Sequence, residues 1–180
     1  MRQIVLILIV FVLTVCCGGN QYGYAREYAP LSEEKPYYKK AENAGYEEVR
    51  RDPIVFLEKL ITWYGVVTKV DEKALPDGRV KVSMTLRIHQ QRHLCENEFE
   101  SSCRVTVSER SGGPFTALMK IRPEDSEGAK RIYTGSLLNI YGVPNGDFDD
   151  EGGPVLNARY YRHWPRGAYV TTAWKGNMRR

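Results

Sequence analysis

Residues 79–89 read RVKVSMTLRIH, and apolar and polar side chains alternate through them almost without a break. Val80, Val82, Met84, Leu86 and Ile88 fall on one side; Lys81, Ser83, Thr85, Arg87 and His89 fall on the other. A period of two belongs to a strand with one face in a core and the other in solvent. The chain must therefore build a sheet, and the remaining segments have to supply its partners. Asp77-Gly78 marks the turn before this strand. Ile61 to Val70 is a β-rich run with Gly65 inside it, where glycine points to a bulge or a tight bend. Arg104 to Ser108 alternates again, Ser111-Gly112-Gly113-Pro114 reads as a turn, and Phe115 to Ile121 as another strand. Pro123 to Arg131 has acids early and bases late, the order a helix dipole favours, and reads as one or two helical turns. Leu137 to Gly142 and Val155 to Trp164 complete the strands, separated by a Gly- and acid-rich loop over 144–153. Upstream, Asp52-Pro53 opens a short amphipathic piece, Ile54 to Lys59, with Asp52 as the expected cap and Pro53 at the first helical position.

Strand, long strand, strand pair, short helix, strand, strand is an order that resembles the OB-fold. Trp63-Tyr64-Gly65-Val66-Val67, the stretch from Gly135 to Gly142, and Pro154-Val155-Leu156 carry the resemblance. It implies a mostly β chain forming a five-stranded Greek-key barrel, with one short helix between the third and fourth strands. It also implies a binding face on the outside of strands two and three. Here that face is Lys81, Ser83, Thr85, Arg87 and His89, with Arg104 and Thr106 expected opposite.

The N-terminus reads as an address. Arg2 is followed by an apolar run from Ile4 to Val15, then Cys16, Cys17, Gly18 and Gly19. One base, an apolar run and small residues form the layout of an export signal. The run falls short of the roughly 20 apolar residues a spanning helix needs. Leu13-Thr14-Val15-Cys16 resembles the lipobox of bacterial lipoproteins, departing from it at Val15; Thr14-Val15-Cys16-Cys17 is the alternative frame and lacks the Leu. The resemblance implies a lipid-modified Cys16 or Cys17, an acylated new N-terminus and a tether to the membrane, with the outer membrane favoured. The layout as a whole, closing on Tyr160 to Pro165, is similar to small outer-membrane lipoproteins of the Slp-like kind. The expected plan is an export signal over 1–17, a Tyr-rich linker over 18–47, a barrel domain over 48–174 and a basic tail over 175–180. The six tyrosines of the linker leave open whether it is a plain stalk or lies against the domain.

Charge narrows the partners. Twenty-six Lys and Arg against 22 Asp and Glu give +4. Arg2, Lys175, Arg179 and Arg180 account for that excess, so residues 17–174 are balanced. A balanced domain, with no stacking aromatics on the strand-two face, disfavours nucleic acid as a partner. Cys95 and Cys103 flank a polar loop, and in an oxidising compartment a disulfide is the favoured reading. A metal site from His89, His93, Cys95 and Cys103 is the sharper alternative, and unpaired thiols the third. Asn145 to Glu151 gathers four carboxylates but fails the EF-hand spacing, so a solvated acidic turn is expected. No Gly-x-Ser-x-Gly, His-Glu-x-x-His or phosphate loop is present, and nothing in the sequence sets a nucleophile beside a base. No enzyme activity and no cofactor are expected. Tyr160 to Trp164, with Arg166 and Tyr169, is the densest aromatic and basic cluster. Within and beside it, Arg159, Tyr161 and His163 are expected to be exposed and available to a partner. The leading expectation is a non-catalytic envelope lipoprotein that binds an envelope protein or glycan. An OB-type oligosaccharide or oligonucleotide binder is the alternative.

Overall fold

The computed structural model describes residues 28–71, 75–87, 92–93 and 104–174. Through these run β1 Ile61–Val70, β2 Val80–Arg87, β3 Arg92–His93, β4 Val105–Val107, β5 Ser111–Met119, β6 Leu137–Phe148, β7 Pro154–Trp164 and β8 Tyr169–Thr171. Two short helices, α1 Lys35–Lys40 and α2 Tyr46–Arg51, precede them. Strands β1, β2, β5, β7 and β6 close in that order into a barrel. Every neighbouring pair is antiparallel except β5 and β7, which run parallel. The chain is mostly β, and its five-stranded barrel is OB-like, as the strand order in the sequence implies. Between the third and fourth barrel strands lie two 3-10 turns, Pro123–Asp125 and Gly128–Lys130. Ser126 and Glu127 separate them, and Gly128, at φ 71°, opens the second.

β2 behaves as its period demands. Val82, Met84 and Leu86 are buried with Trp63, Val67, Phe115, Met119, Ile140 and Leu156, while Lys81, Ser83, Thr85 and Arg87 are half-exposed. Gly65 is not the bulge; the β1 register slips further on, between Val67 and Lys69. Its small size serves the core instead. A Cβ there would lie 2.7 Å from the Phe115 ring and 2.9 Å from the Met84 Cβ.

The third barrel strand differs from expectation. It is β5, whose first half is the Ser111–Pro114 stretch read as a turn. Register with β2 rather than side-chain alternation makes that stretch a strand, with Leu86 opposite Gly113 and Thr85 opposite Pro114. Tyr46 packs against Gly113 and donates to the Pro114 carbonyl at 2.8 Å. β4 belongs to a separate three-stranded sheet, β3-β4-β8. Arg104 and Thr106 therefore do not lie opposite Lys81 and Ser83, which pair with Leu118 and Thr116. Thr106 is buried. Val105 and Val107 of the small sheet join Tyr64, Leu137 and Trp164 in a second core on the outside of the barrel.

From Tyr28 onward the Tyr-rich stretch is an arm packed on that barrel. Glu34 is fully buried, Ala44 and Tyr46 are buried, and Glu42 bridges to Ile61. The piece after Asp52 is a 3-10 turn, Pro53–Phe56, and the Asp52 side chain makes no capping bond. Phe56 reaches the core, whereas Ile54, Val55 and Leu57 are exposed, so the amphipathic face expected there is largely unburied.

Candidate functional site

The parallel ladder between β5 and β7 is short. It runs from Thr116 opposite Val155 to Leu118 opposite Asn157, while β7 continues to Trp164. Where pairing stops, a cleft of about 620 Å³ opens in the barrel wall. The β1–β2 turn contributes Asp77 and Arg79, the end of β5 contributes Lys120 and Arg122, and β7 contributes Asn157 to Tyr161. Four cations, Arg79, Lys120, Arg122 and Arg159, thus face a single lining carboxylate, Asp77.

Two of these cations are held in place. Arg79 Nε lies 2.6 Å from Asp77 and its Nη1 donates to Asn157 Oδ1 at 2.5 Å. Arg122 Nη2 lies 3.0 Å from the largely buried Asp125 carboxylate. Lys120 and Arg159 are exposed and enter no ion pair among the described residues. Tyr37 stacks on the Tyr160 ring at 5.0 Å, and the Arg122 guanidinium lies over it at 5.9 Å. The lining thus sets two guanidiniums held by acceptors beside two exposed cations.

Beneath the cleft is an arrangement that sequence spacing did not reveal. Asp125 Oδ1 lies 2.8 Å from His163 Nδ1, and His163 Nε2 lies 3.2 Å from Ser136 Oγ. The Tyr161 hydroxyl donates to Asp125 Oδ2 at 2.8 Å and accepts from the Arg122 amide at 2.8 Å. The order is that of a serine hydrolase triad. The setting is not. Ser136 is fully buried and accepts from the Tyr133 amide, and the His163 side chain is only 3% exposed. A sealed hydroxyl has no room for a substrate carbonyl, so the group ties the two 3-10 turns to β7. Burial works against the Asp125 carboxylate, yet hydrogen bonds from His163 and Tyr161, with the Arg122 charge, hold its carboxyl below the usual range. Burial pushes the Tyr161 hydroxyl up to about 12.

A second polar group lies under the arm. Glu34 Oε2 pairs with Arg162 Nη1 at 3.1 Å, and Glu34 Oε1 accepts from Tyr141 at 2.7 Å and from Tyr28. Arg162 also donates to Tyr28 Oη and the Ala29 carbonyl. Asn139 donates to Tyr64 Oη and Tyr141 Oη and accepts from Thr62. Burial first, then the hydrogen bond to Glu34 and its charge, raises the Tyr141 hydroxyl well above its ordinary value.

The structure separates the residues singled out from sequence. Arg159 is exposed, as expected, and lines the cleft. Tyr161 and His163 are not exposed. They share a face, but it is the inner one, because Tyr160, Arg162 and Trp164 on the outer face are covered by the arm and the second core. Lys81 and Arg87 lie on the outside of β2, away from the cleft lining; Arg87 donates to the Glu109 carbonyl at 2.9 Å. Arg104 is half-exposed beside β4. Cys16, Cys17, His89, Cys95 and Cys103 lie outside the described residues, as does the side chain of His93. Among the described residues no group of His, Cys, Asp or Glu is placed to hold a metal. The loop expected over 144–153 is shorter than its composition suggested, since Pro144 to Phe148 continue β6. Beyond it Asp149 accepts from Thr116 of β5 and from the amides of Glu151 and Gly153. No helix of the described residues is long and apolar enough to cross a membrane. The chain matches no protein-family model, and no curated protein is significantly similar to it.

Proposed function

We propose that the chain is an exported lipoprotein of a bacterial envelope, tethered through Cys16 or Cys17, whose barrel is a non-catalytic binding module facing the envelope interior or surface. The observation that carries the binding role is the cationic cleft where the β5–β7 ladder stops, an open and charged site in the barrel wall. The sealed Ser136 supports a role without catalysis. The apolar run before Cys16 supports export and lipidation.

Oxidation in that compartment would join Cys95 to Cys103. Arg92 pairs with Thr106 and His93 with Val105. In the chain, Cys95 follows β3 by two residues and Cys103 precedes β4 by two. On this reading the bond ties the segment after β3 to the segment before β4.

Metabolic labelling with a radioactive fatty acid in a bacterial host tests the tether. Wild type is expected to label and to sediment with membranes. Changing both Cys16 and Cys17 to Ala is expected to abolish the label. An unlabelled wild-type protein released into the soluble fraction would overturn the reading.

A further inference from the structure

We infer that the cleft between β5 and β7 binds an anionic glycan, a stretch of sugar units bearing phosphate or carboxylate. The inference rests on the barrel being a binding module and names the ligand that module would take.

The lining carries a surplus of three positive charges, four cations less Asp77, within one opening. That surplus is local, because residues 17–174 as a whole carry no net charge. A fold that needed these cations only for solubility would scatter them. Here they converge from three separate segments of the chain. Their roles also divide. Arg79 and Arg122 are held in place by Asp77, Asn157 and Asp125. A guanidinium held this way keeps donors for a planar or tetrahedral oxyanion, with little side-chain entropy left to lose. Lys120 and Arg159, exposed and unpaired by acids, can close over a bound anion.

The volume of about 620 Å³ suits a few sugar rings and is far larger than a lone phosphate requires. Asn157 and the Asp77 carboxylate add polar groups that hydroxyls can meet. Single-stranded nucleic acid fits less well. Such binders stack bases on open aromatic faces. The cleft's candidate platform, Tyr160, already has Tyr37 stacked on it and Arg122 over it.

Titration of the full mature chain with fluorescent oligogalacturonate and with a phosphorylated mannan fragment tests the inference, with maltohexaose and a dT12 oligonucleotide alongside. Either anionic probe is expected to bind, weakening as salt screens the charges. Changing Lys120 and Arg159 together to Glu is expected to weaken binding by at least about a hundredfold, roughly tenfold for each charge-assisted contact removed. Both residues are exposed, so the variant should fold, and an unchanged melting curve checks this. Lys81→Glu, outside the cleft, should bind as wild type does. No binding of either anionic probe, or equal binding by the double variant, would overturn the inference. Equal or tighter binding of dT12 would replace the glycan with nucleic acid. Cleft-dependent binding of maltohexaose alone would keep the binding module and discard the anionic ligand. The fatty-acid label is read separately, so the tether can fail without the cleft, and the cleft without the tether.

Discussion

Glu34 and Arg162 form the most consequential pair in the molecule. Each is buried, and each is satisfied on several sides by Tyr28, Tyr141 or the Ala29 carbonyl. A buried pair adds little over an apolar replacement, but breaking it strands a charge. Glu34→Ala is therefore expected to lower the unfolding free energy by about 3–5 kcal/mol in urea titrations. Replacing both residues with Leu or Met should recover much of that loss, and a double variant as unstable as the single one would count against the account. Met84 makes the complementary point inside the barrel. It is fully buried beneath Gly65 and opposite Phe115. Met84→Asp would place an unpaired charge there and is expected to abolish the folded state, read as loss of the cooperative thermal transition. A folded variant would mean that the faces of β2 are reversed.

At the scale of elements, the two 3-10 turns after β5 have little apolar surface of their own. Asp125, tied to His163, Tyr161 and Arg122, holds them to β7. That tie has a pH signature. The folded-state carboxyl is held below its ordinary value, so on acidification the unfolded chain takes up the proton first. The stabilisation is fully present above the ordinary aspartate value of about 3.9 and is lost as pH falls through the lower folded value. Asp125→Asn is expected to be less stable than wild type at neutral pH, with the gap narrowing below about pH 4. Denaturant midpoints across that range would show it, and a constant gap would remove the carboxylate from the explanation.

For the whole molecule, the barrel and the small outer sheet share one support, the second core of Tyr64, Leu137 and Trp164 with Val105 and Val107. The proposed Cys95–Cys103 bond would close the chain segment between β3 and β4 of that sheet. A non-reducing digest of exported protein is expected to contain the linked peptide pair. Changing both residues to Ser should lower stability by about 2–3 kcal/mol while the barrel still folds. Full alkylation of both thiols in the unreduced native protein would exclude the bond.

Local pattern was enough for β2, whose one buried face writes its period into consecutive residues, and for the bounds of β1 and β7. It was also enough for the OB-like strand order. β6 was legible only from Leu137 to Gly142, because the stretch beyond it has loop composition and is strand as far as Phe148 through pairing with β7. The first half of β5 was not legible. Ser111 to Pro114 has turn composition and becomes a strand only because β2 lies beside it and Tyr46 covers it. The inward turn of Tyr161 and His163 was equally hidden. Alternation placed them on one face, but which face is inner depends on the arm and small sheet covering Tyr160, Arg162 and Trp164. Glu34 and Arg162 stand 128 residues apart, and nothing near either announces the other. The cleft likewise joins Arg79, Lys120, Arg122 and Arg159 from three segments at the point where a ladder ends. Periodicity is a property of neighbours in the chain, and sequence determines it directly. Convergence is a property of neighbours in space, and closure of the barrel decided it.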